Sequence, residues 1–157
     1  MEAGDTPTIY EWAGGRDALA RWLDRFYDLV EEDELLAPVF GGRVTAEHRD
    51  HVTTWWSEVM GGPADYTARH GGYEHMLDKH RGLEITAEQR LRFVTLLSRA
   101  ADEARLPADP ELRAALMGYA EWGTRLAVDN SAAGAAPVEH APVPRWGWGV
   151  APPYRPG

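Results

Sequence analysis

A chain of 157 residues, 44 % hydrophobic and 26 % charged, is long enough for one domain with a single buried core. Its net charge of −9 argues against nucleic acid, and the absence of cysteine excludes disulfides and thiolate metal sites. No apolar run approaches the roughly 20 residues of a membrane span, and MEAGDTPTIYEW (1–12) lacks the basic and apolar regions of a secretory signal, so a cytoplasmic protein without membrane partners is expected.

In chain order, ALARWLDRFYDLVEE (18–32) repeats apolar residues at Leu19, Trp22, Leu23, Phe26, Tyr27 and Val30, the period of an amphipathic helix. Thr45 is placed to cap a second helix running to about Met60, where GGP (61–63) ends it. Thr86 and Gln89 have capping-box spacing and open a third, whose apolar face carries Phe93, Leu96, Leu97 and Ala100. Asp109 followed by Pro110 starts a fourth, with Leu112, Leu116, Tyr119, Trp122 and Leu126 on its apolar face. No stretch shows sustained period-2 alternation, so the expected class is all-α.

After Ser131 the composition changes. Residues 131–157 hold 6 of the 11 prolines and form no regular helix, which suits an extended segment. Trp146, Trp148 and Tyr154 favour packing against the helical body or a partner, with a solvated extension as the alternative. The expected division is therefore 1–130 for the helical domain and 131–157 for a Pro/Gly/aromatic extension.

The histidines of the stretch around GGYEHMLDKHRG (71–82) invite a metal-site reading. Residues five apart on a helix diverge by about 140°, so His70, His75 and His80 cannot share one helical face. His48 and His51 lie at i and i+3, but no HExxH or acidic partner completes a zinc site. Nucleophile-elbow and phosphate-loop motifs are missing too.

Four segments taken together, IYEWAGG (9–15), DRFYDLVEEDELLAPVF (24–40), WWSEVMGGPADY (55–66) and KHRGLEIT (79–86), resemble the truncated haemoglobins, most nearly their second group. The resemblance covers residues 8 to 130 and implies a compact two-over-two helical globin that holds one haem. It implies His80 as proximal iron ligand, Tyr27 in the distal pocket, and Phe40 packed on the haem. The absence of CxxCH points to non-covalent haem b. Leu77 and Leu83 then supply apolar wall, and Lys79 and Arg81 reach the propionates, as do the candidates Tyr66 and Arg69. Counting along the second helix places His48, Val52, Trp55 and Trp56 on the face towards the pocket, with His48 and Tyr27 as donors to a distal ligand; His51 is expected to face solvent.

Two departures from the family pattern stand out. Thirteen residues beyond His80 the second group commonly has tryptophan, and here Phe93 fills that volume without an indole N–H. Many members carry a small residue where His48 stands. The implied function is binding of dioxygen and related diatomic ligands, with nitric oxide dioxygenation or peroxidase-like chemistry as possible activities and an external reductase as electron donor. Two alternatives stay open: a haem enzyme for an organic substrate, with the tail forming part of its pocket, and a helical sensor or adaptor whose tail docks a partner.

Overall fold

Side-chain caps decide where the helices begin. Thr8, Thr45, Thr86 and Asp109 accept from the backbone N–H groups of Glu11, His48, Gln89 and Leu112 at 3.0 to 3.1 Å. Each such cap contributes about 1 kcal/mol. At Thr86 the box closes, because the Gln89 side chain accepts from the Thr86 N–H at 2.9 Å.

The computed structural model describes residues 6–72, 76, 79–135, 142–149 and 152–153. Every regular element among them is helical: α1 (Ile9–Ala13), α2 (Gly15–Glu32), a 3-10 turn (Ala37–Phe40), α3 (Ala46–Val59), α4 (Asp65–His70), α5 (Ala87–Glu103) and α6 (Pro110–Ser131). Helix α2 packs against both α3 and α5, and α5 against α6, so two helix pairs are stacked on one another. This is the all-α, two-over-two arrangement that the resemblance implied. None of the described helices is long and apolar enough to cross a membrane.

The apolar stripe read on α2 is its buried face: Leu19, Trp22, Leu23, Phe26 and Val30 are each fully buried. The Trp22 indole donates to the Leu97 carbonyl at 2.9 Å and meets Trp56 edge-on at 4.9 Å, which pins α2 to α5 and α3 at one point. Arg49 makes the second joint. Its guanidinium reaches the Asp24 and Val44 carbonyls and the carboxylates of Asp28 and Glu31, both at 2.8 Å. Charge-assisted bonds of this kind are about twice as strong as neutral ones.

GGP ends α3 for a steric reason as well as a propensity one. A Cβ on Gly62 would stand 2.7 Å from the Ser57 carbonyl and 2.9 Å from the Tyr10 ring, so only glycine lets α1 close on this corner. Buried Glu58 then accepts from the Thr67 N–H at 2.8 Å and from its hydroxyl at 2.5 Å, holding α4 against α3. One expectation about α6 changes: Leu112, Leu116 and Tyr119 are buried, whereas Trp122 is 40 % exposed. The tail accounts for that ring. Trp146 lies against Trp122 and edge-on to Tyr119 at centroid distances of 5.7 and 5.5 Å, and its backbone N–H donates to the Val59 carbonyl at 2.8 Å. Trp148 donates to the Pro7 carbonyl at 2.7 Å. The described part of the extension therefore packs on the helical body; Tyr154 lies outside the described residues.

Candidate functional site

Helices α2, α3, α5 and α6, with the segment leading into α5, enclose a cavity of about 630 Å³. That is within the range of sites for small organic cofactors. Nine of the residues singled out from the sequence line it, Tyr27, Phe40, His48, Val52, Trp55, Tyr66, Lys79, His80 and Phe93, as do Trp56 and Leu83, whereas Arg69 and Arg81 do not. A second, more open cleft is lined by Arg21, Arg25, Glu103, Ala104 and Arg105 and contains none of them.

His80 is half-buried just ahead of the loop to α5. Its Nδ1 lies 2.8 Å from the Met76 carbonyl. A carbonyl only accepts, so Nδ1 carries the proton and Nε2 keeps its lone pair. Burial pushes the imidazole pKa below its ordinary value, although the Met76 carbonyl pulls the other way. A neutral ring with one nitrogen committed to a carbonyl is what a metal-ligating histidine needs. The loop behind it is held by α6, where the Ser131 carbonyl and hydroxyl accept from the Glu84 and Ile85 N–H groups, both at 2.9 Å.

Tyr27, Phe40 and His48 form a triangle of edge-to-face rings with centroids 5.4 to 5.7 Å apart. The Tyr27 ring is buried, and its hydroxyl has no hydrogen-bond partner among the described residues. Burial raises its pKa well beyond the usual phenol range, against a smaller opposing pull from Arg49, whose guanidinium lies 5.9 Å from the ring centre. Tyr27 therefore stays protonated and keeps a proton to donate. His48 is also held neutral: burial lowers its pKa first, then the nearby charges of Lys79, His51, His80 and Arg49. Its ring makes no hydrogen bond to any described residue either. Phe93 packs on Phe26 at 4.7 Å, and half-buried Val52 adds a further apolar side chain to the cavity lining.

Tyr66 sits deeper than a mouth residue. It is 1 % exposed, meets Trp55 edge-on at 5.0 Å, and burial pushes the pKa of its hydroxyl up to about 12. Lys79 is exposed at the cavity edge, together with Arg43, while Arg69 is exposed and does not line the cavity. Arg69 is thus separated from the position proposed for it, because α4 turns it to the outside. His51 departs from expectation too: it lines the cavity edge, half-buried, and stacks on His70 at 4.3 Å. His70 and His80 serve different surroundings, and His75 and Leu77 lie outside the described residues.

Sequence reading missed Tyr119 and Met76. The Trp55 indole donates to the Tyr119 hydroxyl at 2.9 Å, so a tyrosine read as core on α6 is also cavity wall. The period of α6 could not separate those two roles. Trp146 and Trp148 do not line the cavity; they pack behind Tyr119 and at Pro7, which removes the motive for a substrate pocket built from these two tail residues.

The donor set fits a haem. One neutral imidazole offers Nε2, apolar and aromatic walls surround it, two unpartnered donors face the same space, and cations stand at the edge for propionates. The comparisons with known proteins agree. The bacterial-like globin family matches residues 8–121. A group 1 truncated haemoglobin, GlbN of Nostoc sp. (strain MUN 8820), is 32 % identical over 79 residues, covering 50 % of this chain. The chain spans only 62 % of that relative's length. The group 2 truncated haemoglobin YjbI of Bacillus subtilis is 29 % identical over 119 residues, 76 % of this chain and 87 % of its own. The solved thermostable haemoglobin of the actinobacterium Thermobifida fusca superposes with a TM-score of 0.68 at 29 % identity, over 78 % of this chain and 97 % of that one.

Proposed function

The chain belongs to the bacterial-like globins, and on that premise we propose that its cavity holds one haem b with His80 on the iron. The bound haem supplies a site for dioxygen and related diatomic ligands. Residues 1–130 form the haem domain and 131–157 an extension to it. The observation that carries this reading is the His80 ring, with Nδ1 committed to the Met76 carbonyl and Nε2 left for the cavity.

The chain's own residues do the rest. Tyr27 and His48 each donate a proton to a hydrogen bond on the distal ligand, and both are protonated or neutral as that role demands. Phe40, Val52, Trp55 and Phe93 exclude water, which strengthens those bonds in a low-dielectric space. Lys79 holds a propionate at the cavity edge, and Tyr66 braces Trp55 from within. Nitric oxide dioxygenation is the activity this donor set suits best. Dioxygen, nitric oxide and one electron give nitrate, so each turnover draws on an external reductase.

The test is spectroscopic. Protein purified with haem supplied should show a Soret band that His80→Ala shifts or abolishes. An unchanged band in His80→Ala would refute the ligand assignment. Mixing the dioxygen-loaded protein with nitric oxide should yield stoichiometric nitrate within the mixing time, and nitrate absent from that mixture would remove the dioxygenase reading while leaving ligand binding in place.

A further inference from the structure

Seven tryptophans are many for 157 residues, and several of them with one tyrosine form a connected line. Trp55 and Trp56 line the cavity. Trp56 meets Tyr119 edge-on at 4.9 Å, and the Trp55 indole hydrogen-bonds the Tyr119 hydroxyl. Tyr119 then contacts Trp146 at 5.5 Å and Trp122 at 6.0 Å, which contact each other at 5.7 Å. Trp122 is 40 % exposed. The line also branches inward from Trp56 to Trp22, which is fully buried and leads nowhere outside. Another branch runs from Trp55 through buried Tyr66 to His70, and imidazole is far harder to oxidise than indole or phenol. Among the described residues, the oxidisable line therefore reaches solvent at Trp122 and Trp146.

We propose that the Trp122–Trp146 pair is a surface electron port, through which phenolic donors too large for the cavity are oxidised when a hydroperoxide is reduced inside it. This rests on the haem reading above and specifies where a reducing substrate meets the protein. One hydroperoxide takes two electrons and two protons to become an alcohol and water. Two phenols each lose one electron to the indole pair and release one proton to solvent, leaving two phenoxyl radicals, so the reaction balances. Electronic coupling falls steeply with the gap between rings, and every gap here is a contact. Indole passes charge without first losing its proton, so charge rests on Trp56 and on the Trp122–Trp146 pair, and the Tyr119 ring between them serves as a bridge that keeps its proton. The extension has a defined part in this: Trp146 lies against both Tyr119 and Trp122 and adds a second oxidisable ring at the surface.

The test uses the haem-loaded full chain, hydrogen peroxide, a nitroso spin trap and a phenol tethered to a polymer that cannot enter the cavity. Peptide mass spectrometry should find trap adducts on Trp122 or Trp146. Trp122→Phe combined with Trp146→Phe, which keeps the ring packing but removes both indoles, should lower oxidation of the tethered phenol at least tenfold. Peroxide consumption and oxidation of a small free phenol should stay within twofold. Adducts confined to Tyr27 or Tyr66, or tethered-phenol oxidation unchanged in the double variant, would overturn the port while the Soret band still supports haem binding. Loss of the Soret band from the wild-type chain would overturn both.

Discussion

His48 stands edge-on to Tyr27, with ring centroids 5.4 Å apart and planes at 87°, and neither side chain hydrogen-bonds a described residue. Helix α2 supplies one and α3 the other, and Arg49 ties the two helices together one residue beyond His48. The donors are thus positioned by the fold and held in reserve for a ligand.

Removing either donor should therefore change ligand release more than stability. Tyr27→Phe and His48→Leu should each raise the dioxygen dissociation rate about tenfold, the worth of one hydrogen bond in a dry site. Tyr27→Phe should leave the unfolding free energy within about 0.5 kcal/mol of the parent, because the deleted hydroxyl has no partner among the described residues. Flash photolysis and urea denaturation check the two halves separately. A large stability loss without a kinetic change would show that the hydroxyl serves the core.

The haem-free protein should weaken as pH falls below about 6.5, the ordinary histidine value. His48 has a lowered pKa in the folded chain, through burial and then the charges of Lys79, His51, His80 and Arg49. The unfolded chain therefore takes up this proton first, and stability is lost from about pH 6.5 down through the folded value. His80 shifts in the same direction, so His48→Gln should flatten the slope in part. Carboxylates such as Glu103, held low by the Arg25 side chain, contribute only at more acidic pH. Thermal melts between pH 5 and 7.5 give the slope.

Glu58→Ala should cost about 2 kcal/mol, since it leaves the Thr67 N–H and hydroxyl without the carboxylate that now receives both. Glu58→Gln retains one acceptor oxygen and should recover part of that loss. Denaturant midpoints measure both variants. A local consequence is also expected: amide exchange in α4 should rise in Glu58→Ala before that of α2 or α5.

Trp146→Ala should destabilise by about 2 kcal/mol, less than a fully buried tryptophan because this one is half-buried. It should also make Trp122 more accessible, which a shift of its fluorescence towards longer wavelength would report. Unchanged stability would mean that the contacts with Tyr119 and Trp122 add nothing to the folded state.

What was legible beforehand follows the range of the interactions. Thr45, Thr86 and Asp109 announced their helices because a cap acts across three residues. The nine cavity residues converged because helical period and family spacing both constrain which face a residue takes. Arg49 was not legible, since its partners at Asp24, Asp28 and Glu31 belong to another helix and any of several arginines had suitable charge. His51 looked like a solvent residue because α4, which brings His70 against it, was not foreseen. Tyr119 is legible as apolar face, yet the partner of its hydroxyl, Trp55, lies 64 positions away on α3, where no local pattern points to it.

The bond from Trp148 to the Pro7 carbonyl joins positions 141 apart in the chain. Closing so long a loop is entropically unfavourable until the intervening helices have already shortened the distance. This strap should therefore dock late and release early, and amide exchange across 142–149 measures it. On that footing its attachment would register that the helices between have assembled.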